Sequence, residues 1–264
     1  MVNILDSIEA KKSVLHFSID DSILCLEKLF LDNKKSIFDV ELFKFLKKLH
    51  NEIDLHCTLY LFYSNKYFDL STKPFDLSMV NDKYKKEFEK NSDWLKFGAH
   101  ALNYQTPMNT QTIKESSETI QKIIESILHF AGEKSITQTW RPHFFMANLD
   151  ICKIIKKHGV KIAFAPEDKR KIFTCLSPRE INKLLKDRLY NDPKSGLLFI
   201  RSSHEIKSKQ ENIKALKEKI KQEIKKYKVF VIYTHEYEFV KKSVRNEITN
   251  LFRFIKRQGI EFIS

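Results

Sequence analysis

Acidic and imidazole side chains in this chain gather where apolar, strand-like runs end. Asp20 and Asp21 close VLHFSIDD, His100 closes WLKFGAH, and Arg141 and His143 end TQTWRPH. His204 closes LLFIRSSH and His235 closes VFVIYTH. Carboxylates and imidazoles brought together can ligate a divalent cation, move protons, or do both. The Asp pair also opens the helix-like run DSILCLEKLF, where either residue could cap free amides. Two adjacent carboxylates exceed that need: one can ligate a cation while the other serves as a base. Strand-end histidines joined to such a pair supply what a site that holds and acidifies a water requires. His50, His56, His129 and His158 lie within element runs or at a helix end and read as structural.

Residues this far apart meet if the strands share a direction, because parallel strands joined by crossovers deliver their C-termini to one face. The chain does alternate. Strands are expected near 14–19, 55–63, 94–99, 137–143, 160–165, 196–202, 229–235 and 260–264. Helices are expected near 21–31, 39–52, 79–91, 110–131, 148–158, 177–190, 208–227 and 240–257. Three helix-to-strand breaks are alike, KKHGVKIAF, KKYKVFVIY and KRQGIEFIS, with Gly159 and Gly259 suited to the left-handed position that ends a helix. Within 208–227, Ile213, Leu216, Ile220, Ile224 and Tyr227 form an apolar stripe at spacings of three and four. Runs such as LLFI and VFVIY suit a sheet buried on both faces. The fold expected is α/β: a single distorted (β/α)7-8 TIM-like barrel with parallel strands and right-handed crossovers, one domain over residues 1–264. Segments 64–78 and 166–178 break the repeat and fall on the site face, where loops shape binding.

Composition narrows the function classes. The 264 residues, 42% hydrophobic and 12% aromatic, suffice for a sizeable core. The net charge of +13 comes mostly from Lys spread along helix faces, not from Arg clustered with stacking aromatics. A solvated basic surface or attraction of an anionic substrate is therefore expected, and nucleic-acid recognition is not. Cys25, Cys57, Cys152 and Cys175 form no CxxC or Cys/His pair, so neither a zinc knuckle nor a disulfide framework is indicated. The first three sit in apolar runs and read as buried small hydrophobes. The opening MVNILDSIEAKKS lacks the apolar core of a signal peptide, and no run approaches the ~18 apolar residues of a membrane span. A soluble, cytoplasmic protein is expected.

The order SIDD, strand-end His, Arg-Pro, late strand-end His is similar to that of the NodB-type polysaccharide deacetylases, the family 4 carbohydrate esterases. LHFSIDD, NSDWLKFGAHA and IYTHEYEF resemble a bacterial branch of that superfamily with a modified metal motif, over about residues 14 to 240. The resemblance implies Asp20 as general base, Asp21 and His100 as metal ligands, Arg141 as the group orienting the base, and His235 as general acid. The family's second motif carries two histidines four apart, but here the second position is Tyr104, within HALNY. His143 or His204 is left to complete the ligand set, with His143 the first choice. Asn103, Tyr104, His204 and Glu236 are candidate substrate contacts. The implied cofactor is a divalent metal, zinc first, with cobalt, nickel or manganese also suitable.

The implied reaction is attack of water on an acetyl carbonyl beside the metal, with the metal and backbone amides holding the oxyanion. The expected substrate is an N- or O-acetylated sugar on a cytoplasmic sugar nucleotide, lipid-linked sugar or other glycan precursor. The modified motif leaves two alternatives: another metal-dependent hydrolase or lyase on a carbohydrate or small amide, or a degenerate barrel that binds glycans without catalysis. A base, its orienter and an acid present together argue against the degenerate form.

Overall fold

The computed structural model describes residues 4, 6, 13–71, 73–167, 175–208 and 213–264. Strand β1 (Val14–Ser22) is buried along its whole length, as its apolar run requires. It pairs in parallel with β2 (Cys57–Phe62), β9 (Val229–His235) and β10 (Glu261–Ile263). Strand β2 continues to β3 (Leu95–Ala101), and β9 to β8 (His204–Glu205). A second sheet runs in the order β4 (Thr139–Trp140), β5 (Ile162–Ala165), β7 (Leu197–Arg201) and β6 (Leu189–Asp192).

Two joints make one barrel of these sheets. Past β7 the chain changes sheet: Ser202 N–H donates to Ala165 O and Ser203 N–H to Val231 O, each at 2.8 Å. At the other joint β3 and β4 meet through an isolated parallel bridge, Phe97 to Ile136. There Thr137 N–H donates to Phe97 O at 2.9 Å. The barrel is closed but uneven, which is the distortion expected of this fold.

Each of the eight expected strands is present. The expectation of parallel pairing throughout is corrected by β6, which runs antiparallel to β7. Helix α6 (Pro178–Asp187) ends at Arg188, whose left-handed φ of 64° reverses the chain into that hairpin. The expected helix to residue 190 therefore stops early.

Helices α1 (Leu24–Leu31), α2 (Glu41–Ile53), α3 (Lys85–Lys90), α4 (Ile113–Phe130) and α5 (Leu149–Lys157) cover the outside together with α6. Farther along follow α7 (Ile213–Lys226), the short α8 (Glu236–Phe239) and α9 (Lys242–Arg257). Leu216 and Ile220 of the α7 stripe are buried, with Ile224 and Tyr227 packed behind them. The residues expected to start that helix at 209–212 lie outside the described residues. Gly159 and Gly259 end α5 and α9 with φ of 87° and 76°, as their sequence context suggests.

The barrel interior is a second, smaller core. Val14, Ile162, Phe164, Ile200, Val229 and Val231 meet there from strands all round the ring. Tyr60 reaches across it to Thr139, hydroxyl to hydroxyl at 2.5 Å. Gly98 permits that crossing, since a Cβ there would lie 2.7 Å from the Thr137 methyl and 3.0 Å from the Tyr60 ring. Apolar below and polar above, the interior opens at the strand C-termini into a cavity of about 330 Å³.

Candidate active site

Two strand irregularities aim the ligands. Adjacent residues on a regular strand face opposite sides, yet Asp20 and Asp21 both line the cavity. The β1–β2 register shifts between Ile19 and Ser22, and Asp21 adopts a left-handed φ of 55°, which swings its carboxylate back beside that of Asp20. In β3 the register passes from Ala99 to Ala101, so His100 is the extra residue of a second bulge. The turn His143–Phe145 after β4 brings in the third group.

Asp21, His100 and His143 converge and are all buried. Asp21 Oδ1 lies 2.9 Å from His100 Nε2 and 3.1 Å from His143 Nδ1, and those two nitrogens are 3.2 Å apart. Their far nitrogens are spoken for: His100 Nδ1–H donates to Arg141 O at 2.6 Å, and His143 Nε2–H to Tyr104 O at 2.8 Å. With those protons so placed, each ring has its other nitrogen facing the carboxylate, free to ligate an ion. Burial alone would raise the Asp21 carboxyl; when the inward nitrogens carry protons in place of an ion, hydrogen bonds from the two rings and the charge of His235 hold it well below its usual value. Three electron pairs meeting this closely repel unless a positive charge lies among them. Ligands about 2.0–2.1 Å from a tetrahedral zinc stand roughly 3.3 Å apart, so the triangle is close to the size a divalent ion needs. The donor set fits a metal.

Asp20 faces a different partner. Arg141 Nε is 3.0 Å from its Oδ2, and Ser18 Oγ–H donates to its Oδ1 at 3.0 Å. Arg141 is fixed in turn by Ser202 Oγ at 2.9 Å and by the Tyr233 ring, 4.1 Å from its guanidinium carbon. Burial raises the Asp20 pKa, against the pull of Arg141, His100 and His235. This carboxylate keeps affinity for a proton while remaining ion-paired.

His235 closes β9 opposite Asp20 in register. Its Nδ1 lies 3.2 Å from Glu205 Oε1, and its ring stacks on Tyr237 at 4.9 Å. Burial disfavours the imidazolium, but Glu205, Asp21 and Asp20 outweigh it and raise the His235 pKa. Glu205 itself would be raised by burial, but His235 and Lys207 pull it down to about 2. Lys207 Nζ is 2.7 Å from Glu205 Oε2.

The other candidate contacts separate. Tyr104 lines the cavity, and its ring packs against Phe68 and His143. Asn103, His204 and Glu236 are not among the residues lining it. Asn103 Oδ1 accepts from Gln105 N–H at 3.0 Å and shapes the turn that presents Tyr104. His204 sits on β8 next to Glu205, and strand alternation sends its side chain to the other face. Among the described residues, the group near enough to share an ion with Asp21 and His100 contains His143 and not His204. Glu236 accepts from the amides of Ile23, Leu24 and Cys25 at 2.8, 2.8 and 2.7 Å and caps α1. Glu236→Ala leaves those buried donors unpaired and is expected to cost about 2–4 kcal/mol of folding stability, measurable by urea unfolding. An unchanged midpoint would remove the capping role.

Sequence reasoning missed Glu205, Lys207, Tyr233, Tyr237, Phe144 and Phe145, all of which line the cavity. The signal for Glu205 was its place in a strand-end run, hidden by the histidine before it. Segment 64–78 does reach the site face: Tyr67, Phe68, Asp69 and Leu70 wall an adjoining cavity that shares Tyr104 and Tyr237. In segment 166–178, residues 168–174 lie outside the described residues. A second His/Asp group, His50, Asp54 and His56, lies before β2 at the other end of the barrel, where Asp54 is largely exposed. His50 there stacks on Trp94.

No protein-family model matches the chain, and no curated protein matches it in sequence. Solved structures do match in shape. A Mycobacterium smegmatis structure attributed to a polysaccharide deacetylase aligns with TM-score 0.58 at 9% identity, over 96% of this chain and 87% of that one. A family 4 acetyl xylan esterase from Clostridium thermocellum, in complex with a cobalt ion, aligns at 0.53 and 10% identity, over 95% and 87%. A 4-alpha-glucanotransferase from Thermococcus litoralis aligns at 0.55 and 8% identity, over 96% of this chain and 39% of that one. The chain has the fold of the polysaccharide deacetylases and family 4 esterases. A glucanotransferase shares it, so the reaction must be argued from the side chains in the cavity.

Proposed function

We propose that this chain is a metal-dependent carbohydrate deacetylase, hydrolysing an N- or O-acetyl group on a sugar or glycan precursor. The observation carrying the reading is the meeting of Asp21, His100 and His143, both rings turned ligand-side inward by backbone carbonyls. A divalent cation held there would polarise the acyl oxygen and acidify a water.

The remaining work falls to the chain's own groups. Asp20, raised by burial and held by Arg141, takes the proton of the attacking water. His235, kept protonated by Glu205, returns a proton to the departing sugar nitrogen or oxygen. Tyr104, Phe144 and Tyr237 give the cavity an aromatic rim on which a sugar ring can lie. Lys207 supplies positive charge at the same rim, which suits a phosphate-bearing sugar. A reading as another hydrolase on a small amide differs in product, so acetate released from a panel of acetylated sugars and sugar nucleotides is the test. Turnover without acetate would overturn the deacetylase assignment.

His235 also sets a pH dependence. Its acid form is the working one, and that form is lost as pH rises through a pKa above the ordinary 6.5. Glu205→Gln removes the carboxylate that holds the proton, so the alkaline limb of kcat/KM is expected to move down by about one pH unit or more. A limb that stays in place in that variant would detach Glu205 from His235.

A further inference from the structure

We propose that Cys152 and Cys175 form a reversible disulfide, a redox modification site on the outer layer of the barrel. Their sulfurs are 3.6 Å apart, although 23 positions separate them in sequence. A disulfide needs about 2.05 Å between sulfurs, a closure within reach of side-chain rotation. Cys25 and Cys57 are buried on β1-side elements with no such partner among the described residues. Cys152 is buried in α5, while Cys175 is partly open to solvent.

The accessibilities set the order of events. Cys175 meets a small disulfide first: its thiolate attacks one sulfur, forms a mixed disulfide and releases one thiolate. Cys152 then displaces the second, giving up its proton to that leaving thiolate. Two protein thiols are oxidised and one small disulfide is reduced to two thiols, so electrons and protons balance. Hydrogen bonding to Cys175 and burial hold the Cys152 thiol well above its usual range, which leaves the first attack to Cys175.

The bond would tie helix α5 to the residue that precedes helix α6 by three positions. Cys152 is on the helix entered directly from the His143–Phe145 turn. Cys175 stands two residues before Ser177, whose side chain caps α6. Linking them closes a loop across the β5–α6 connection and restricts the unfolded chain.

The test equilibrates the reduced full-length protein with glutathione disulfide, then counts thiols in denaturant and maps the linked peptides. The four thiols of the chain should fall to two, with Cys152 joined to Cys175. Tm should rise by about 5–10 °C and return on adding dithiothreitol. Cys175→Ser, at a partly exposed position, should keep its fold and lose the shift. Four thiols remaining, a stable glutathione adduct on Cys175 with Cys152 free, or linkage through Cys25 or Cys57 would each overturn the proposal.

Discussion

Asp20→Asn is expected to lower kcat by about 10²- to 10⁴-fold, the usual worth of a positioned base, with metal content unchanged. The carboxamide keeps an oxygen for Arg141, 3.0 Å away in the native pair, and it keeps the side-chain shape. What it loses is the ability to accept a proton. Asp21, one residue on, remains to hold the ion with His100 and His143. The measurement pairs initial rates of acetate release with metal analysis of the same preparation. A defect confined to KM, or a loss of metal along with turnover, would show that Asp20 binds substrate or ion rather than moving a proton.

His143→Ala is expected to empty the metal site. Loss of a group that only orients a ligand weakens metal affinity by about 10–100-fold, and loss of a ligand should exceed that. The native protein, made without a histidine tag and supplied with zinc, cobalt or nickel, should carry about one ion per chain, as one buried three-ligand site with an open position predicts. The variant should carry none after dialysis against a weak chelator. Equal occupancy in the two proteins would move the third ligand elsewhere. A native protein that takes up no metal would favour the non-catalytic reading of this barrel.

Local physics made most of the scaffold legible. VFVIYTH reads as a strand over 229–235, and those are the bounds the strand takes, because a run buried on both faces carries its own signature. Strand-end placement likewise pointed to Asp20, Asp21, His100, Arg141, His143 and His235, and all six line one cavity. What stayed hidden depends on contacts distant in sequence or on short, half-exposed strands. Glu236 stands beside His235 in the chain, yet its carboxylate is spent on amides 211 to 213 positions away. Strand β6 is four residues long and mostly part-exposed, so its apolar signal is weak and its antiparallel partner unforeseeable from a helix–strand repeat. The Asp pair could be placed at the site, but alternation alone would have sent one carboxylate outward. The bulge that reverses it is a property of the paired sheet.

The two histidines exchange their hydrogen bonds across one line. His100, on β3, donates to the carbonyl of Arg141 beyond β4, and His143, beyond β4, donates to the carbonyl of Tyr104 beyond β3. That line is the joint where the two sheets otherwise share one isolated backbone bridge. An ion gripped by Asp21 and both rings would therefore act as a rivet through the thinnest part of the wall. Occupancy and stiffness become one variable: stripping the ion should speed amide exchange along 137–145 before it affects the far side at β9. Cells short of the metal would then hold a protein that is softer at its mouth as well as idle.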